Sequence, residues 1–136
     1  MKEPFDLVKK KIIVVPKIKG LKDNRDFNFI VDTGASVSVI NETVVSFLGF
    51  DLKGLQTETL MTIGGKTSSK ILKLPKIELF GKSISNFEVK VVDLPMQVTL
   101  LADGLIGMDF LLNFEELKIN FEEKTIEIFE KKYGEI

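Results

Sequence analysis

The sequence predicts an all-β fold, a barrel or sandwich of short strands. Three observations lead there. Runs in which apolar residues alternate with polar or charged ones recur at regular spacing, as in Ile77 and Leu79, in Phe87, Val89 and Val91, and in Leu117 to Ile128. Turn-forming residues separate the runs, at Gly20, Asp23 and Asn24, at Gly64-Gly65, at Gly81-Lys82 and at Glu122-Glu123-Lys124. Only two stretches carry a helical pattern, one opening at Asn41-Glu42 and one after Gly107.

Taken in order, Lys11 to Lys19 reads as a first strand, a continuous apolar run that gives way to alternation at Lys17-Ile18-Lys19. The turn at Gly20 to Asn24 returns the chain to a second strand, in which Phe27, Phe29, Ile30 and Val31 are the core residues and Asp32 the abrupt end. Asn41-Glu42 can cap a packing helix through Val44, Val45, Phe47 and Leu48 that stops at Gly49. Thr57 to Ile63 and Lys66 to Leu74 flank Gly64-Gly65, a signal for a hairpin with a primed two-residue turn. The arm Lys66 to Lys70 is polar on both faces, which predicts an exposed, mobile tip. A further hairpin turns at Gly81-Lys82. Met108 to Asn113 forms a short helix whose Asp109, in the first turn, is favoured by the helix dipole. Leu117, Ile119 and Phe121 form a strand, and Ile126 and Ile128 point inward after the last turn.

With 136 residues, residues 1–136 read as one domain without repeat or linker, able to bury roughly two thirds of its unfolded surface. Lys plus Arg number 19 and Asp plus Glu 20, so no basic excess points to nucleic acid, and the run Lys9-Lys10-Lys11 reads as a solvated strand entry. The chain has no Cys and no His, which removes thiol and Ser-His nucleophiles, thiolate or imidazole metal sites and disulfides. Carboxylate chemistry without a metal or other cofactor is what remains. Ile12 to Val15 is too short and too soon cut by Pro16 for a signal peptide or a membrane span, and the lack of Cys fits a cytoplasmic setting.

The chemistry is concentrated at Phe29-Ile30-Val31-Asp32-Thr33-Gly34-Ala35-Ser36. A carboxylate is carried from a core strand onto a tight turn, Gly34 leaves the backbone free to take positive φ or to lie close to another group, and Thr33 adds a hydroxyl. Alone, the triplet could equally be a plain turn. Two further elements change its weight: Thr62-Ile63-Gly64-Gly65, a Gly-rich hairpin tip, and Asp103-Gly104-Leu105-Ile106-Gly107-Met108-Asp109, two bulky apolar residues and a Gly before a short helix. Together, in this order, they resemble the active-site loop, flap and C-terminal segment of retroviral-type (retropepsin-like) aspartic proteases.

The resemblance implies a single-lobe acid-protease barrel that pairs as a two-fold homodimer and cleaves peptide bonds in extended polypeptides. Asp32 of each subunit would activate a shared water; Thr33 would tie the loops together, and Gly34 would orient the carboxylates. Ala35 stands where pepsin-like enzymes usually carry a hydroxyl, which implies a less acidic optimum than theirs. Thr62 to Gly65 would close over substrate, and Ile106 and Gly107 would pack behind the loop, with Asp109 structural. The resemblance also implies that the chain ends contribute to the dimer, Ile126, Ile128 and Phe129 offering an edge strand, although Lys131 to Ile136 is longer than the viral pattern. A second reading stays open at this level: a retropepsin-like peptide-binding or dimerisation module with little or no cleavage.

Overall fold

Proline sets the first division of the chain. Pro16 has no N–H to give a ladder and a fixed φ, so the apolar run from Lys11 to Lys19 is two strands rather than one. A computed structural model of the protein describes residues 1–132. Its elements are β1 (Lys2–Pro4), β2 (Asp6–Val8), β3 (Lys11–Val14), β4 (Lys17–Lys19), β5 (Asn24–Asp26), β6 (Phe29–Val31), β7 (Val39–Asn41), α1 (Glu42–Phe47), β8 (Thr57–Thr62), β9 (Gly65–Leu79), β10 (Lys82–Val92), α2 (Met96–Thr99), β11 (Gly104–Ile106), α3 (Met108–Leu111), β12 (Glu116–Asn120) and β13 (Thr125–Phe129). A single 3-10 turn, Leu52–Gly54, follows α1.

Two sheets result. The larger runs β2-β3-β6-β11-β7-β10-β9-β4-β5 with β8 added to β9, and the smaller runs β1-β13-β12. Pro16 sends β3 to one part of the large sheet, against β2 and β6, and β4 to another, against β5 and β9. At the centre, β11 lies parallel to β6 and antiparallel to β7. Phe29, Ile40, Ile106 and Phe110 are among the side chains sealed between the layers. Phe87 and Phe110 meet edge to face at 5.7 Å, and Phe114 continues the aromatic contact to Phe80, so α3 is clamped onto β10.

Several expectations need correction. Strands β1 and β2 precede the expected first strand; their short, mostly exposed sequences carry no strong period. Phe121 lies in a turn and is 62 % exposed, because β12 ends at Asn120, whose side-chain carbonyl accepts from the N–H groups of Glu122 and Glu123. Strand β13 is not an edge: β1 and β12 occupy both its sides, and the Ile128 N–H donates to the Met1 carbonyl at 2.8 Å. Of the segment Lys131 to Ile136, residues 133–136 lie outside the described residues. Asn41 precedes α1 with extended backbone but makes no side-chain cap; its amide donates to Thr43 Oγ1 at 2.7 Å and its side-chain carbonyl accepts from Leu94 N at 3.0 Å. Gly49 does end the helix as its residue type suggests, at φ 90°.

The hairpin formed by β8 and β9 also differs at its tip. Thr62 pairs with Gly65, so Ile63-Gly64 is the two-residue turn. Of these four residues only Gly65 has positive φ, at 116°, and the turn is therefore not a primed one. One residue of its returning arm is not polar-exposed: Ser69 is buried and its hydroxyl donates to the Glu58 carbonyl at 3.3 Å.

At Gly104, between β6 and β7, an added Cβ would collide with the Val39 carbonyl and lie 2.6 Å from the Phe29 ring. Gly104→Ala should therefore destabilise the fold by about 3 kcal/mol through overpacking. Urea denaturation at constant m-value measures it.

Candidate active site

Strand β6 delivers Asp32. Phe29 and Ile30 are buried, Val31 is half-buried, and the chain leaves the sheet at the next residue. The Asp32 N–H donates to the Ile106 carbonyl at 2.9 Å and the Ala35 N–H to the Asp32 carbonyl at 3.2 Å, closing a tight turn. The carboxylate then accepts from the Gly34 N–H at 2.9 Å. Gly34 is not in the left-handed region; an added Cβ would stand 3.2 Å from Asp32 Oδ1, so close approach is what glycine supplies here. Asp32 is half-buried, with Thr33 and Gly34 exposed beside it.

The segment after β11 crosses behind this turn. Met108 N–H donates to the Ala35 carbonyl at 2.8 Å and Asp109 N–H to the Ser36 carbonyl at 3.1 Å. Gly107 makes the crossing possible: a Cβ there would be 2.7 Å from the Val37 carbonyl and 2.8 Å from that of Ala35. Asp109 has more to do than meet a helix dipole. Its carboxylate accepts from Ser38 Oγ at 2.7 Å, Ser38 N at 2.9 Å and Phe110 N at 2.8 Å. The fully buried Ser38 hydroxyl in turn accepts from Gly107 N at 3.0 Å. The crossing is thus closed by side chains as well as backbone.

The β8–β9 hairpin stands over the same place. A cleft of about 780 Å³ is lined by Asp32, Gly34, Ala35 and Ser36 from the turn and by Thr62, Ile63 and Gly64 from the hairpin tip. Gly65 is adjacent in sequence but does not line it, while Ile106 and Gly107 are buried behind. Val37, Val39, Leu60, Met61 and Leu105 complete an apolar wall, and Ile63 is wholly exposed. Among the described residues, Asp32 is the one ionisable side chain in the lining. Sequence reasoning missed the wall. Alternation at Val37 and Val39 was a usable signal, whereas Leu105 takes its place through the parallel pairing with Ile30 and shares a small cluster with Ile13, Ala102, Val98 and Leu101.

The base of the hairpin is tied down by a charge. Lys90 of β10, with its side chain 12 % exposed, bonds Glu58 of β8 at 2.5 Å and Glu88 at 3.1 Å. The Glu58 hydrogen bond, with help from Glu88 and against the effect of burial, raises the Lys90 pKa above its ordinary 10.5.

A family model for aspartyl protease matches residues 16–110. Among solved structures, the fold is similar to a retropepsin-like aspartic protease from Rickettsia conorii, with a TM-score of 0.68 and 21 % identity over 95 % of this chain and 90 % of that one. It is also similar to EIAV protease complexed with the inhibitor HBY-793, with a TM-score of 0.55 and 22 % identity over 77 % of this chain and 88 % of that one. No curated protein sequence matches the chain.

Two predictions follow from the contacts around the cleft. Asp109→Ala strands the Ser38 and Phe110 donors and should cost about 2–3 kcal/mol in chemical denaturation, with Ser38→Ala smaller. Lys90→Met should cost about 1–2 kcal/mol at neutral pH, because the two glutamates it leaves can rehydrate. A raised lysine pKa contributes its stability below 10.5 and loses it as pH climbs through the folded-state value, so the gap between wild type and variant should close in strongly alkaline solution.

Proposed function

Because the chain belongs to the aspartyl protease family, we propose that it is an aspartic endopeptidase acting as a homodimer on extended polypeptides. The observation that carries this reading is the cleft in which Asp32, held by the Gly34 N–H at 2.9 Å, is the one ionisable group that the described residues bring to the apolar walls. Hydrolysing an amide with carboxyl groups requires one to be ionised and one protonated. Two carboxyls brought close together meet that need, since both cannot hold a charge at once, as is general for aspartic proteases. One Asp32 per chain therefore calls for a second chain on a two-fold axis.

In the proposed reaction a water between the two Asp32 carboxyls loses a proton to the ionised one as its oxygen attacks the peptide carbonyl carbon. The protonated Asp32 gives its proton to the carbonyl oxygen, so a neutral tetrahedral diol forms. In its collapse the Asp32 that is now ionised takes one hydroxyl proton while the Asp32 protonated by the water gives its proton to the amide nitrogen; the C–N bond breaks, a carboxylic acid and an amine leave, and the dyad again holds one proton. Gly34 N–H orients the carboxylate, Thr33 joins the two loops across the axis, and Ile106 and Gly107 support the turn from behind. Thr62 to Gly65 act as a flap over the bound peptide. An extended substrate gains main-chain hydrogen bonds from strand-like neighbours and selectivity from side-chain pockets at alternate residues.

Asp32→Asn should lower peptide cleavage by about a thousandfold while leaving the denaturation midpoint close to wild type, because the buried Asp109–Ser38 contacts are untouched. Specific activity should fall on dilution as dimers dissociate, with sedimentation reporting the mass. Cleavage by a species with the mass of one chain would sink the proposal. With Ala35 offering no hydroxyl to the charged dyad, the rate optimum should lie in mildly acidic to neutral solution; a maximum below about pH 3, where pepsin's dyad titrates, would contradict that assignment.

A further inference from the structure

The run Lys9-Lys10-Lys11 finds no charged partner among the described residues. Lys9 and Lys10 are the turn between β2 and β3, closed by the Val8–Lys11 pair, and all three side chains are exposed. Among the described residues none of the three is in an ion pair. Both turn residues are left-handed, at φ 49° and 64°, a primed geometry that Asn-Gly adopts at lower cost. Local turn preference therefore does not explain why lysine is there.

Its position suggests why. Ile13 pairs with Ile30 and Val14 with Phe29. The turn between β2 and β3 therefore lies at the end of β3 that neighbours the end of β6 from which Asp32 leaves the sheet. By alternation Lys11 shares a sheet face with Ile13 and Ile30. Three cations thus stand at the sheet end that carries the Asp32 turn, outside the lining of the cleft. On the reading that this cleft cuts peptides, we propose that the Lys9–Lys11 turn selects substrates with acidic side chains flanking an apolar scissile pair.

The charge arrangement favours substrate over a second copy as the turn's partner. A two-fold mate brings its own three lysines to the same region, and the Asp32 to Ser36 loop holds no carboxylate besides Asp32 to oppose them. An acidic peptide supplies the missing charge. Exposed cations act at range but are screened beyond about 8 Å at physiological salt, so the selection is a matter of attraction and is salt-sensitive.

The test uses the full chain and two peptides that share an apolar scissile pair, one flanked by Glu and Asp, the other by Gln and Asn. Wild type should cleave the acidic peptide about tenfold better in kcat/KM at 0.05 M NaCl and about twofold better at 0.5 M, in keeping with screened surface charges. The variant Lys9→Asn/Lys10→Gly/Lys11→Thr keeps a primed turn, so its melting temperature should not fall, and it should lose the difference between the peptides. Equal cleavage of both by wild type, or a preference kept by the variant, overturns the inference. So does a variant that loses its dimer in sedimentation, since the turn would then hold a second copy. Asp32→Asn protein provides a readout without catalysis: its Kd for the two labelled peptides should differ by the same factor, and equal values overturn the selection whether or not the wild type cleaves. Absence of cleavage with the Kd difference intact instead defeats the endopeptidase reading alone.

Discussion

Two stretches of backbone that cross without room for side chains hold this structure together. The Asp32 turn and the Gly104–Met108 segment exchange Asp32 N–H to Ile106 carbonyl and Met108 N–H to Ala35 carbonyl bonds. Glycines at 104 and 107 keep the crossing open, where any Cβ would meet Val39, Val37 or Ala35 main chain. Close packing fixes the Asp32 main chain, and the Gly34 N–H at 2.9 Å then holds its carboxylate. A loop on so constrained a backbone is ordered before anything binds, and in the proposed reaction that is the condition under which orientation contributes to rate.

From this crossing a chain of contacts reaches the hairpin above the cleft. Asp109 grips Ser38; the Ser38 carbonyl accepts from Lys90 N–H at 3.0 Å; the Lys90 ammonium holds Glu58 at the start of β8. The base of the hairpin is therefore fixed to the same element that supports the turn, while its tip, with Ile63 and Gly64 in solvent, buries almost nothing. A rigid base and an unsupported tip localise motion to the few residues that face the cleft.

The far side of the molecule is organised differently. Strand β13 spends both its edges within the chain, on β1 and β12, and Phe5 and Ile126 join the core from this layer. The free edges of that sheet are consequently β1 and β12. In the large sheet β2 lies at one end, three exposed residues long with Leu7 and Val8 partly in solvent. Short edge strands of this kind offer little ladder to a neighbouring chain.

Residue type and spacing by themselves determined the all-β class, most strand centres and the stop of α1 at Gly49, because alternation and turn chemistry are local properties of the chain, whereas the Asp32 turn, the hairpin tip and the Gly104–Gly107 segment were joined into one site only by their resemblance to a family. They did not reveal that Pro16 redirects a strand to another part of the sheet, that the Asn41 side-chain carbonyl serves Leu94 N instead of capping a helix N–H, that Asp109 answers to Ser38, or that β13 is enclosed. Each of these depends on a partner tens of residues away. The tip of the β8–β9 hairpin shows the same limit on a smaller scale: Gly64-Gly65 announces a turn, yet the cross-strand register of Thr62 with Gly65 decides which two residues make it. The apolar wall and the place of the Lys9–Lys11 turn at the Asp32 end of the sheet likewise come from strand order, since no local pattern states which strands are neighbours; only the folded packing selects that.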